Sequence, residues 1–458
     1  MPPKFGTSGL RGLVTELTED CVTDHVRAFA DTCPMGSGVY VAHDLRASSP
    51  DIARMVVRAV QQAGLQATTC GPVPTPAFAL AAMAGGAAAV MVTGSHIPAD
   101  RNGLKFYTPE GEITKAHETA MLHRLGRDRP NHVGPGPVHD DGVAAAYIAR
   151  YVKAYGRALE GMRIGFYAHS AVGRDLMINL LKSLGADVVT LGWSESFVPV
   201  DTEAVAPTLR QDLQHWATER KCDAIVSTDG DGDRPLVADE NGRIVVGDVL
   251  GQITAAALGA DCVVTPVSSN SGVDLSGRFQ SVIRTRIGSP YVIAGMANAT
   301  GKTVGYEANG GFLLGFAADG PSGPLAPLMT RDAVLPMIAT LVAARKTGLS
   351  ACVAAEPARF TAADRLQDVP MAQTQAFVAR LSNDPEARHA FLQTLHGTES
   401  GFNCIDGPRM TLSDGRVVHV RPSGNAPELR LYVEADNADV ANQTLESGLK
   451  QLRALVSP

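Results

Sequence analysis

Short apolar runs that stop abruptly at small polar residues recur throughout this chain, and they constrain its fold more than any other feature. Val39-Tyr40-Val41-Ala42 runs into His43-Asp44, and Ala89-Val90-Met91-Val92 into Thr93-Gly94-Ser95-His96. Arg163 to Tyr167 leads to His169-Ser170, Cys262-Val263-Val264 to Pro266, and Thr303 to Tyr306 into Glu307-Ala308-Asn309-Gly310-Gly311. Continuous apolar runs of this length read as buried parallel strands. Between them lie helical patterns: from Pro50 to Gly64, Ile52, Met55, Val56, Ala59 and Val60 share one face, and Gly64 provides a stop. Alternating strand, polar loop and helix predicts α/β units, whose ligands collect at the carboxyl ends of the strands.

The 458 residues exceed what a single core organises. Asn131 to Gly142, with its Gly-Pro-Gly-Pro, reads as a linker, and composition places further boundaries near Asn241-Gly242 and after Thr347-Gly348. The last segment differs, with strands over 417–420 and 429–434 and a helical pattern from Ala438 to Val456. Four domains are predicted, 1–136, 137–240, 241–350 and 351–458. The first three are α/β with mixed, mainly parallel sheets and helices, and the fourth is α+β.

Apolar residues make up 45% of the chain and charged residues 19%, which excludes a disordered composition. A formal net charge of -7 argues against a nucleic-acid partner. The apolar stretch Ala77 to Val92 is broken by Gly85-Gly86 and too short to span a bilayer. The amino terminus lacks the basic and apolar regions of a secretory signal. Seven cysteines form neither close pairs nor metal-ligand spacings. Reduced thiols, a cytoplasmic location and no membrane partner are therefore expected.

Chemistry concentrates in Ser227-Thr228-Asp229-Gly230-Asp231-Gly232-Asp233-Arg234. Three carboxylates this close repel one another unless a cation offsets them. Hard oxygen ligands favour a magnesium-type ion over zinc. Counted from Asp229, an EF-hand calcium loop would place its obligatory glycine at position 234. That residue is arginine, Pro235 follows, and the flanks read as strands, so the calcium-loop reading fails.

Ser95 offers a hydroxyl at the mouth of a buried strand, as nucleophile, phosphoryl carrier or simple turn residue. Its surroundings do not match the Gly-x-Ser-x-Gly elbow of esterases. Lys105 can return to the same pocket as acid, base or phosphate partner, or lie solvated on the surface. Arg421-Pro422-Ser423-Gly424-Asn425-Ala426-Pro427-Glu428-Leu429-Arg430 joins two strands and suits phosphate capture by backbone and guanidinium groups. Phe5 to Gly12, which carries Arg11, is a second glycine-spaced, arginine-bearing segment. Glu307 and Asn309 pair a carboxylate with an amide, a combination suited to adjacent sugar hydroxyls.

Taken in order, the serine, aspartate, sugar and phosphate loops resemble those of the α-D-phosphohexomutase superfamily over essentially the full chain, one motif per domain. Within it the chain is most similar to the bacterial phosphomannomutase branch. The resemblance implies four domains around a central cleft and an isomerase, an intramolecular phosphotransferase of carbohydrate metabolism. It would interconvert mannose 6-phosphate and mannose 1-phosphate, with glucose phosphates open as further substrates. The route implied is a phosphoserine and a hexose 1,6-bisphosphate, which also acts as activator. Phosphoglucosamine mutase and metal-dependent sugar phosphatase are the alternatives.

By position, Ser95 becomes the phosphoryl carrier, and it joins Asp229, Asp231 and Asp233 around one Mg2+ per chain. Arg234 would face the phosphoserine, and Glu307 and Asn309 the sugar. Arg421, Ser423, Asn425 and Arg430 would hold the substrate phosphate. His96 and Lys105 would lie near the transferring group, Lys105 as general acid/base, with Arg11 in support. A phosphosugar is the implied partner, and the enzyme a monomer or homodimer. Two loops depart from the family pattern. The sugar loop, usually Gly-Glu-x-Ser-Gly-His, has Tyr306, Asn309 and Gly311 where glycine, serine and histidine are usual. The phosphate loop has Asn425-Ala426-Pro427 in place of Thr-Glu-Pro.

Overall fold

The computed structural model describes residues 3–6, 9–422 and 428–456. In the first sheet the strands Val39–His43, Ala67–Pro72 and Ala88–Val92 run parallel, and Arg101–Thr108 and Leu10–Leu13 extend it antiparallel. Val138–His139, inside the expected linker, adds a parallel edge strand to this sheet. The second sheet sets Arg163–His169 between Asp187–Trp193 and Ala224–Thr228, all parallel, then adds Pro235–Ala238 antiparallel. The third repeats that plan: Cys262–Pro266 lies between Ser281–Thr285 and Thr303–Tyr306, followed by Phe312–Leu314 and Leu328–Asp332 antiparallel.

Burial explains the continuous apolar runs. Every residue of Ala88–Val92, Ala224–Thr228 and Cys262–Pro266 is buried, because helices cover both faces. The expected Pro50–Gly64 helix forms as Ser49–Gln62, with Ile52, Val56, Ala59 and Val60 inward and Gly64 at φ +80° beyond its end. Ala77 to Val92 divides at Gly85-Gly86 into the helix Thr75–Ala84 and the strand Ala88–Val92. No helix among the described residues is long and apolar enough to cross a membrane.

The fourth sheet is antiparallel throughout, in the order Phe360–Leu366, Leu429–Ala435, Val417–Pro422, Arg409–Leu412, Glu399–Asn403. Helices Met371–Asn383, Pro385–Gln393 and Ala438–Val456 cover one face and share its core, from Leu366 to Val456. That core is separate, whereas one continuous cluster from Ala42 to Leu349 runs through the first three units. The fourth unit meets the third through polar contacts, including Glu434 with Ser271 and Arg409 with the carbonyl of Val267.

The aspartate and phosphate loops lie between strands, as their flanking residues predict. The serine and sugar loops, expected to lead from strand to helix, do the same: each of the four is flanked by an antiparallel pair. Val92 pairs Leu104, Thr228 pairs Pro235, Tyr306 pairs Phe312 and Pro422 pairs Leu429. A hairpin tip tied on both sides by ladder hydrogen bonds places side chains more rigidly than a strand–helix connection.

Candidate active site

Ser95 is buried, and its backbone is held at φ +52°, a left-handed conformation that costs energy in a residue with a Cβ. The surroundings impose it. Asp44, at the end of its strand, accepts from Thr93 Oγ1 at 2.7 Å, and Thr93 Oγ1 accepts in turn from the Ser95 amide at 2.8 Å. The wholly buried Arg46 donates to the carbonyls of Ser95 (2.9 Å), Ile97 (2.5 Å), Pro98 (2.7 Å) and Arg101 (3.0 Å), and pairs with Asp44 at 3.2 Å. Its guanidinium carbon lies 4.1 Å from the centroid of the Phe197 ring. Sequence reading missed Asp44 and Arg46. Their one signal was His43-Asp44 at a strand end, the position where this architecture collects function.

The serine hydroxyl donates to Asp229 Oδ2 at 2.5 Å and lies 3.2 Å from His96 Nδ1. The aspartate loop presses directly against the serine loop, since a Cβ on Gly230 would lie 2.8 Å from the Ser95 carbonyl oxygen. Asp229 Oδ1 accepts from the amides of Asp233 and Arg234, each at 3.2 Å. Asp231 Oδ2 accepts from Thr75 Oγ1 and Lys105 Nζ, both at 2.6 Å, and Lys105 also reaches Asp233 Oδ2 at 2.6 Å. The expected convergence of Ser95, His96 and Lys105 on the three aspartates is present.

Charge decides the character of this pocket. Burial, together with Asp231 and Asp233, pushes the Asp229 carboxyl well above its ordinary range. Burial pushes Asp231 the same way, but the Lys105 ammonium and the Thr75 hydroxyl outweigh it and hold it low. Lys105 stays protonated, because Asp231 and Asp233 overcome the desolvation that opposes its charge. His96 is pushed down to about 3 by burial and by Arg234, so its ring is neutral. Arg11 is lowered to about 10 by burial and by the nearby Arg234 and Arg331. Three guanidinium groups close enough to repel one another make a receptacle for an anion.

Asp229, Asp231 and Asp233 each offer one carboxylate oxygen within 4.8 Å of the others. Asp231 Oδ1 and Asp233 Oδ1 are buried without a hydrogen-bond partner. Buried oxygens left unpaired are costly, and a hard divalent cation would satisfy them. The donor set therefore fits a metal ion.

In the third unit, Glu307 and Asn309 are both buried in the hairpin tip. Asn309 Oδ1 accepts from the Gly311 amide at 2.9 Å, and Glu307 Oε2 accepts from Arg331 at 3.2 Å. Asn309 therefore offers a ligand its amide NH2, and Glu307 its second oxygen. Arg331 also donates to Asp233 Oδ2 at 2.8 Å, tying the sugar loop to the aspartate loop. Nothing in Thr330-Arg331-Asp332 marked it as a site residue.

Arg421 and Arg430 sit directly opposite each other on adjacent strands of the fourth sheet. Arg421 approaches Asp406 and Arg430 approaches Glu428, at 3.4 and 3.3 Å. Neither is hydrogen-bonded to the serine–aspartate centre. Ser423 and Asn425 lie outside the described residues. A cleft of about 340 Å³ separates the uncovered face of this sheet, at His419 and Tyr432, from Ala308 of the sugar loop and Thr202 of the second unit.

Three α/β units and one α+β unit with a serine–aspartate centre define a phosphohexomutase, and comparison with known proteins agrees. Residues 2–130, 145–242 and 244–360 match alpha/beta/alpha domains I, II and III of phosphoglucomutase/phosphomannomutase, and 354–448 match its C-terminal domain. The chain belongs to the phosphoglucomutase/phosphomannomutase family, within the α-D-phosphohexomutase superfamily of isomerases. It is 44% identical to a phosphomannomutase of Sinorhizobium fredii, over 99% of both chains. It is 41% identical to a phosphomannomutase of Salmonella muenchen, over 98% of this chain and 95% of the other. A probable phosphoglucosamine mutase of Methanothermobacter thermautotrophicus is more distant, at 28% over 96% and 95%. The crystal structure of a phosphoglucomutase/phosphomannomutase family protein from Burkholderia thailandensis shares the fold, with a TM-score of 0.76 and 21% identity over 98% and 97% of the chains.

Proposed function

We propose that this chain interconverts mannose 6-phosphate and mannose 1-phosphate, with glucose phosphates as further substrates, through phosphoserine at Ser95 and a hexose 1,6-bisphosphate. The observation that carries this reading is the Ser95 hydroxyl placed 2.5 Å from Asp229, beside aspartate oxygens that lack partners. Kinship supports the sugar, since the relatives at 44% and 41% identity are phosphomannomutases.

Phosphoryl transfer depends chiefly on positioning and on stabilising charge. Asp229, Asp231 and Asp233, with an oxygen on Ser95, would hold one Mg2+. Bound there, the ion supplies positive charge to the transferring phosphoryl group. Arg11 and Arg234 face the same group from the protein side. The Ser95 Oγ–P bond breaks as a sugar hydroxyl attacks phosphorus. Lys105, protonated between Asp231 and Asp233, gives a proton to the departing serine oxygen and takes up the one that the attacking sugar hydroxyl loses. In the reverse step the serine hydroxyl loses the proton and the departing sugar oxygen receives it. His96, neutral and 3.2 Å from the hydroxyl, orients it.

The bisphosphate then turns over, so that its other phosphate faces Ser95 and is taken back. Glu307 and Asn309 grip the sugar in both orientations. Arg421, Ser423, Asn425 and Arg430 hold whichever phosphate is not reacting, which requires the fourth unit to open and close. Its separate core and polar boundary with the third unit suit such movement. A division at 1–136, 137–240, 241–350 and 351–458 gives each unit one loop, although the edge strand Val138–His139 of the first sheet falls just past the first boundary. We assign the enzyme to the cytoplasm, as a monomer or homodimer, with the bisphosphate as activator.

The test is a comparison of mannose, glucose and glucosamine 6-phosphates with magnesium and catalytic bisphosphate. Conversion of mannose 6-phosphate to the 1-phosphate at the highest kcat/KM supports the proposal. Preference for the glucosamine ester overturns the sugar assignment, and release of inorganic phosphate without isomer exchange overturns the mutase.

A further inference from the structure

Gly311 stands where the family's sugar loop usually ends in histidine, and a neighbouring strand fills the space. A Cβ on Gly311 would lie 2.9 Å from Arg331 Cδ and 3.1 Å from its Cγ. Arg331 comes from Leu328–Asp332 and is only 3% exposed. One nitrogen donates to Glu307 Oε2 at 3.2 Å and another to Asp233 Oδ2 at 2.8 Å. Its buried Nε has no partner in the structure. Burial opposes its charge, but Asp233, Glu112 and Glu307 together hold the guanidinium protonated.

The strand is anchored from behind. The next residue, Asp332, accepts from Tyr147 at 2.6 Å, from Tyr151, and from the Val334 amide at 2.8 Å. Arg331 is thus a fixed, charged fork whose two donors hold carboxylates on two different hairpin tips. A bidentate arginine in this setting fixes direction as well as charge.

We propose that Arg331 is a positioning residue, which sets Glu307 of the sugar loop against Asp233 of the aspartate loop in the volume left by Gly311. It thereby fixes where the sugar sits relative to Ser95. The inference rests on the mutase reading for its consequence in turnover, but its effect on sugar binding can be measured without the reaction.

Three variants test it: Arg331→Met, Arg331→Lys and Gly311→Ala. KM and kcat are measured for mannose 6-phosphate with magnesium, and Kd for the same ester by calorimetry with the metal chelated. Arg331→Met is expected to raise KM and the metal-free Kd at least tenfold, with a smaller change in kcat. Arg331→Lys recovers part of that loss. Gly311→Ala, whose new methyl displaces the guanidinium, moves the same constants in the same direction by a smaller factor. A folded Arg331→Met protein with KM and metal-free Kd within twofold of the unaltered chain overturns the proposal. So does a fall in kcat with metal-free Kd unchanged. If Arg331→Met does not fold, Gly311→Ala decides: unchanged constants overturn it. Absence of isomerisation in the unaltered chain would count against the mutase alone, because the metal-free Kd still reports on Arg331.

Discussion

The hydroxyl of Ser95 donates to Asp229 at 2.5 Å, although 134 positions separate them in sequence. The contact is a product of packing between two units. Ser95 rides on one hairpin tip, Asp229 on another, and Gly230 allows the two backbones to touch. Thr75, at the start of a helix in the first unit, pins the joint from beside it through both its amide and its hydroxyl to Asp231. A serine raised on a strained backbone beside three carboxylates is arranged for reaction rather than for stability.

The strain at Ser95 is sustained by Arg46. Removing one partner of a buried pair leaves the other charge uncompensated, at a cost of about 3–5 kcal/mol. Arg46→Met should lower unfolding stability by that amount and reduce kcat as the loop relaxes. Urea denaturation followed by circular dichroism gives the first quantity, and the mutase assay the second.

Metal removal should silence turnover without unfolding the chain, because Lys105 already neutralises part of the acidic trio. Chelation is expected to abolish isomerisation, with a melting temperature changed by no more than a few degrees and activity restored by magnesium. Asp231→Asn should block restoration. Manganese binding followed by electron paramagnetic resonance checks that the site itself is lost.

Arg421 faces Arg430 across the hairpin that bears the phosphate loop. A charge-assisted hydrogen bond contributes about 1.5–3 kcal/mol. Arg421→Ala should therefore raise KM for the hexose monophosphate by about one to two orders of magnitude and weaken phosphorylation of Ser95 by the bisphosphate in the same sense, since its non-reacting phosphate uses the same guanidinium. Steady-state kinetics on the 6-phosphate provide the measurement.

Acid stability should depend on His419. Its Nε2 donates to the Asp406 carbonyl at 2.7 Å, and burial pushes its pKa down to about 4. An unfolded histidine titrates near about 6.5, so between these values the unfolded chain binds the extra proton. The contribution is complete above that range and declines as pH falls to 4, by roughly 3 kcal/mol. His169, also pushed down to about 4 by burial, acts in the same sense. Melting temperatures between pH 7 and 4.5 should fall, and His419→Gln should flatten part of that slope.

The strands and the order of the loops were legible in the sequence because burial on both faces writes an unbroken apolar run, and such runs end where ligands bind. The strands on both sides of the aspartate and phosphate loops were legible too, but the hairpins at the serine and sugar loops were not, since an antiparallel partner and a helix both follow a polar turn. Asp44, Arg46 and Arg331 were hidden for a different reason. Each acts by reaching a segment distant in sequence, and a lone charged residue on a strand or just beyond its end carries no local sign of that reach. Asn309 was legible as a loop residue, but the turning of its carbonyl oxygen onto Gly311 depends on the fold of the tip.

The most direct measurement of the central claim is the intact mass of the protein after incubation with mannose 1,6-bisphosphate and magnesium, followed by peptide mapping. One phosphoryl group per chain, located on Ser95 and discharged by added mannose 6-phosphate, is the predicted result, with no label in Ser95→Ala. Steady isomerisation by a chain that never carries phosphate at Ser95, or by Ser95→Ala itself, would contradict the account.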